Sequence, residues 1–143
     1  MEIEAFLADT VQAAGGKLHA LGIGWRVIQT SAIPVRHDRI GIGLIVRTVA
    51  DEAGQHTLTL ALLDPEGATR PFGPGGPLEA NFTSPAGEGT ATLALNMDGI
   101  VFEREGEHTF VLSIDGTEGT RLPFRVQTAP EPPVTEFRTG VYL

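Results

Sequence analysis

The chain has no cysteine. That excludes thiol nucleophiles, thiolate zinc sites, iron–sulfur clusters and any disulfide staple. No staple is needed, because a chain of 143 residues buries roughly 68–70% of the surface its unfolded form would expose. Long apolar runs are missing too, and none approaches the roughly 20 residues of a membrane-spanning helix. Positive charge is scarce: 18 acidic residues stand against 10 basic ones, a net charge of −8, and Lys17 is the single lysine. Such a chain repels phosphate and suits neither non-specific nucleic-acid binding nor an anionic membrane surface. The start, Met1-Glu2-Ile3-Glu4, is acidic where a secretory leader is basic. These absences lead us to expect a soluble, cytoplasmic protein with no nucleic-acid and no membrane partner.

Helical periodicity is also missing, and what takes its place is alternation. Phe110, Leu112 and Ile114 share one phase of a period of two, as do Leu122, Phe124 and Val126. The stretch from Glu107 to Val126 therefore reads as a β-hairpin turning at Thr117–Thr120, with one face of each arm to bury. Residues 3 to 12 are apolar on both phases, and Gly15-Gly16 supplies the backbone of a tight turn into a second strand from Lys17 to about Ile28. There His19, Leu21, Ile23, Trp25 and Val27 share one phase, against Leu18, Ala20, Gly22 and Gly24. Residues 28 to 39 read as a loop containing Pro34. Strands are expected over Ile40–Ala50, His56–Leu63, Leu78–Thr83 and Thr90–Met97, the last ended by Asp98-Gly99. Asp64-Pro65-Glu66-Gly67 is a strong turn signal, and Pro71 to Pro77 an exposed Gly/Pro loop.

Seven to eight short strands between Gly and Pro turns indicate an all-β fold, a two-layer antiparallel β-sandwich over residues 1–128. The Pro-rich stretch beginning at Ala129 opens an extended tail, 129–143, that carries Phe137 and Tyr142.

The run Glu4-Ala5-Phe6-Leu7-Ala8-Asp9, followed by Gly16-Lys17-Leu18 and Leu21-Gly22-Ile23-Gly24-Trp25, resembles a family of small uncharacterised bacterial proteins. Gly106, His108, Phe110, Asp115 and Gly116 extend the resemblance, which covers about residues 2 to 126 and implies no activity. A broader likeness is to immunoglobulin-like sandwiches, whose penultimate strand starts with a tyrosine that bonds back to the preceding loop. His108 takes that place here, so its imidazole is expected to pin the turn.

Catalytic chemistry finds no foothold in the pattern. No serine lies in a Gly-x-Ser-x-Gly elbow, and His19, His37, His56 and His108 are scattered without metal-ligand spacing, so no catalytic residue, cofactor or metal is expected. Asp64, Asp98 and Asp115 each end a strand; they form either a calcium-binding cup or, as we favour, ordinary turn initiators. Two features suggest contact surfaces. Arg36, His37 and Arg39, with Arg26 just upstream, concentrate positive charge in the expected loop, either as a site for an anionic group or as a solvated surface. The alternating glycines Gly22 and Gly24, and Gly41 and Gly43, strip one face of two strands, leaving a floor that a partner could approach or that an aromatic side chain could cover. With Trp25 and the tail residues Phe137 and Tyr142, these positions suggest a non-catalytic protein-contact module, a homo-oligomer and most simply a homodimer. The alternative is a small-ligand or carbohydrate binder using the loops at 34–39 and 73–77.

Overall fold

The computed structural model describes residues 1–72 and 77–129. The all-β expectation holds: they form eleven strands and one 3₁₀ turn at Ala50–Glu52, with no α-helix among the described residues. The strands are β1 (Glu2–Ala8), β2 (Thr10–Ala14), β3 (Lys17–Leu21), β4 (Val27–Thr30), β5 (Val35–Thr48), β6 (Gly54–Leu63), β7 (Thr69–Arg70), β8 (Leu78–Ser84), β9 (Gly89–Phe102), β10 (Gly106–Ile114) and β11 (Thr117–Thr128). One sheet has the order β1-β5-β9. The larger sheet runs β4-β11-β10-β6, with β7 and β8 both paired to the far side of β6.

Alternation dictates what these sheets bury. Ile40, Ile42, Leu44 and Val46 of β5 are completely inaccessible to solvent and meet Leu58, Leu60 and Leu62 of β6, Phe110 and Leu112 of β10, and Phe124 and Val126 of β11 in one core. Each such side chain contributes about 1.5–3 kcal/mol relative to leaving it exposed. Phe102, His108, Phe110 and Phe124 form an aromatic cluster at one end, with ring centroids 5.1 to 5.7 Å apart. His108 is buried, and its Nδ1–H donates to the carbonyl of Gly106 at 3.1 Å, the turn-pinning role expected of it.

The strand order β1-β5-β9 against β11-β10-β6-β8 reproduces the A-B-E and G-F-C-C′ arrangement of immunoglobulin-like sandwiches. One pair departs from the antiparallel expectation, since β4 joins β11 in parallel.

Five local expectations are corrected. The closing hairpin turns at Asp115-Gly116, both at positive φ, and Thr117–Thr120 is already strand; an Asp-Gly pair with Ile114 opposite Thr117 is the two-residue turn whose twist matches the strands. The strand expected from Lys17 to Ile28 ends at Leu21, because Gly22 and Gly24 both have positive φ and turn the chain. Leu21, Ile23 and Val27, which share one apolar phase in the sequence, are exposed. The first apolar run divides at Asp9 into β1 and β2, and the expected loop at 28–39 is partly strand, since β4 runs to Thr30 and β5 begins at Val35. Lastly, β9 runs straight through Asp98-Gly99, where Gly99 has φ 72°. The buried phase switches there from Leu95 and Met97 to Ile100 and Phe102, yet the pairing with β5 keeps its register because β5 changes phase opposite it.

Candidate functional site

The glycine strips come first, and the chain covers them itself. On β5, Gly43 pairs with Phe6 of β1, and a Cβ at Gly43 would collide with the Phe6 ring. A Cβ at Gly41 would stand 2.9 Å from Val11 Cγ2 and 3.1 Å from Thr10 Cα. The β2–β3 hairpin thus folds over the outer face of the smaller sheet, and the bare backbone of Gly41 lets it approach. Gly22 and Gly24 are on no strand and do not adjoin Gly41 and Gly43, so no shared glycine floor exists. Sequence reasoning missed Asn96, which fastens this hairpin: its Oδ1 accepts from Val11 N at 3.0 Å and its Nδ2 donates to Val11 O at 2.8 Å. A single polar residue on the outward phase of a strand gives no signal of such a role.

The turn between β3 and β4 is held by Asp9 N–H donating to Leu21 O and Gly24 N–H to Leu7 O, each 2.8 Å. It presents Leu21 and Ile23 to solvent, 70% and 61% exposed. Trp25 turns the other way and packs edge-on against Phe124, with His37 6.2 Å from it.

Of the positive cluster, Arg36, His37 and Arg39 are on strand β5 rather than in a loop, while Arg26 immediately precedes β4. Arg39 is engaged by Asp98 through Nε at 2.6 Å and Nη2 at 3.1 Å, which holds the Asp98 carboxyl below its ordinary range. Arg36 lies over Gly99. Asp64, Asp98 and Asp115 do not converge. Asp64 accepts from the backbone of Glu66 and Ala68, each at 2.9 Å, and from Arg70 Nε at 3.0 Å. Among the described residues no group of three or more His, Asp or Glu is arranged to hold a metal ion. Of the loops proposed to bind a small ligand, 73–76 lies outside the described residues, as do Phe137 and Tyr142.

One histidine does meet a carboxylate in a cleft. His56 Nδ1 is 2.6 Å from Asp115 Oδ2, and Nε2 is 2.6 Å from the carbonyl of Glu52, in a depression of about 510 Å³ that Ile3, Ile114 and Glu118 also line. Both partners only accept, so the ring must donate from both nitrogens and carry a positive charge. The Asp115 hydrogen bond raises the His56 pKa, and the His56 hydrogen bond in turn lowers that of Asp115. With both nitrogens engaged, the imidazole ties β6 to the β10–β11 turn and to the carbonyl of Glu52.

The remaining feature is an edge. Strand β9, 14 residues long, is paired on one side by β5 and by no strand on the other among the described residues. Sheet edges invite pairing with another chain, and proteins blunt them by shortness, charge or proline. Here β4 has 4 residues, β1 carries Glu2 and Glu4, and β8 carries Glu79 between Pro77 and Pro85. By contrast β9 has no proline and one charge, Asp98, and from Gly89 to Met97 it has none. The core is also less complete there: Leu44 and Val46 of β5 are fully buried, while Leu93 and Ala91 opposite them on β9 are only half-buried. Across the sandwich, Leu78, Ala80 and Phe82 of β8 are likewise half-buried against the core. In immunoglobulin-like sandwiches a further strand, D, lies beside E; no strand of the described residues takes that place beside β9.

The fold defines an immunoglobulin-like β-sandwich whose smaller sheet, among the described residues, ends in the long uncharged edge Gly89–Met97 of β9. The chain belongs to a family of unknown function, DUF6941, whose model matches residues 4–127. Among curated proteins nothing matches. Solved structures similar to it include a Listeria innocua β-glucosidase in complex with isofagomine (10% identity, TM-score 0.49, covering 90% of this chain and 16% of that one). A second is the Pseudomonas fluorescens alkylpurine DNA glycosylase AlkC bound to DNA containing an abasic site analog (10% identity, TM-score 0.45, 87% of this chain and 30% of that one). A third is an immunoglobulin-like protein from Pseudomonas aeruginosa (12% identity, TM-score 0.37, 88% and 95%). The chain spans less than a third of either enzyme, and none of the three likenesses supports a statement about what this chain does. No helix among the described residues is long and apolar enough to cross a membrane.

Proposed function

We propose that this protein is a non-catalytic interaction module that receives an extended segment of protein as an added strand beside β9. The observation that carries this reading is the nine-residue uncharged edge Gly89–Met97, with half-buried apolar side chains on β9 and on β8 across from it. An added strand satisfies the outward N–H and C=O groups of β9 and, with apolar residues at alternate positions, completes the burial of Leu93 and Ala91. Backbone pairing supplies affinity, and the alternate side chains supply selectivity.

The test is selection from displayed ten-residue peptides against the full chain carrying Phe137→Asp and Val141→Asp, so that its own C-terminal segment does not compete for the edge. Enrichment of uncharged, alternately apolar sequences that slow amide exchange in Gly89–Met97 is the expected result. Failure to enrich any, or enrichment of peptides that protect a different strand, refutes the reading.

A further inference from the structure

The segment that fits this edge is found in the chain itself. Val134 to Leu143 alternates: Thr135, Phe137, Thr139, Val141 and Leu143 fall on one phase, and Glu136, Arg138 and Gly140, flanked by Val134 and Tyr142, on the other. Apolar and β-branched residues on one side and both charges on the other are what a strand needs if it is to cover a core with one face and meet solvent with the other. Ten residues also suffice for the nine from Gly89 to Met97.

Resting on the reading of β9 as an acceptor, we propose that its occupant is residues 134–143 of a second copy of this chain. The place where the described chain ends decides between its own tail and a neighbour's. Ala129 N–H donates to Thr30 O at 2.9 Å, at the β4 side of the larger sheet. From β11, three strand spacings, about 14 Å, and a sheet separation of about 10 Å divide that point from the place beside β9. Residues 129 to 133 include Pro130, Pro132 and Pro133, a composition that favours a stiff extended spacer of about 16 Å. The straight line between the two points, about 17 Å from these spacings, passes through the core, so a path around the sandwich is longer than the spacer and a neighbour's segment fits the edge better than the chain's own. Two copies exchanging segments reciprocally close as a symmetric dimer, and every acceptor edge is then filled.

Sedimentation equilibrium and residue-resolved hydrogen exchange on the full chain test this, comparing wild type with Phe137→Asp/Val141→Asp and with the conservative Phe137→Leu/Val141→Ile. The wild type is expected at about twice the 15.2 kDa monomer mass, with slow exchange across Gly89–Met97. The aspartate pair should halve the mass and speed exchange in that stretch, while the conservative pair should leave both unchanged. A monomeric wild type overturns the proposal, whether or not β9 is protected, and so does a dimer that survives the aspartate pair. If selected peptides still protect β9 in either case, the acceptor reading stands and only the identity of the occupant fails.

Discussion

Asn96 is the residue whose removal most cleanly separates the fold from its decoration. Its amide satisfies both the donor and the acceptor of Val11, whose side chain is buried. Asn96→Leu leaves those two backbone groups unpaired, and a loss of about 1–3 kcal/mol follows, to be measured by urea unfolding. His56 makes a second residue-scale prediction. Its pKa is raised above 6.5 by Asp115 and Glu52, so its contribution is fully present below 6.5 and fades as pH rises through the folded value. Asp115, lowered from 3.8, limits the same contact from below, so the link is strongest between those two ranges. The stability advantage of wild type over His56→Gln should therefore shrink between pH 6 and pH 9. A constant difference across that range would mean that the ring is not cationic. His108 behaves in the opposite sense: burial lowers its pKa, and protonation costs stability as pH falls below its ordinary value.

At the scale of elements, Gly41 and the turn at Leu21–Gly24 make opposite demands. Gly41→Ala places a methyl against Thr10 backbone, which is less able to give way than a side-chain tip, so a loss of about 1–3 kcal/mol is expected, with faster amide exchange in β2 and β3. Leu21→Ser/Ile23→Ser should change stability by no more than about 0.5 kcal/mol, because both side chains are already in water. The period-two reading of Lys17–Ile28 demands several kcal/mol for the same double change, so denaturation of this variant separates the two accounts. That stretch also shows where the sequence was legible. The core phases of β5, β6, β9, β10 and β11 followed from alternation, because a sheet with one buried face writes its register into the chain, whereas the role of His108 was implied by the likeness to immunoglobulin-like sandwiches. Glycine was the ambiguous letter. Gly41 and Gly43 sit in a strand beneath other residues, whereas Gly22 and Gly24 break one, and spacing alone does not distinguish backbone approach from positive φ. The positive cluster was misplaced for a related reason: Pro34 was read as the middle of a loop when it immediately precedes β5.

At the scale of the molecule, the described residues form an asymmetric sandwich: a three-stranded sheet faces a wider one, and half-buried apolar side chains remain on β8 and β9. No motif could have announced that edge, because an edge is defined by the strand that is not next to it. Its composition was visible, however, since Thr90–Met97 stood out as a regular alternation with no charge. Hydrogen exchange at single-residue resolution along β9 of the full chain carrying Phe137→Asp and Val141→Asp, with and without a saturating selected peptide, is the most direct test of the account. Strand addition predicts that the outward amides of Gly89–Met97 slow on binding while β1, β4 and β8 do not change. Protection confined to any other strand, or a bound peptide that leaves β9 exchanging as before, would contradict it.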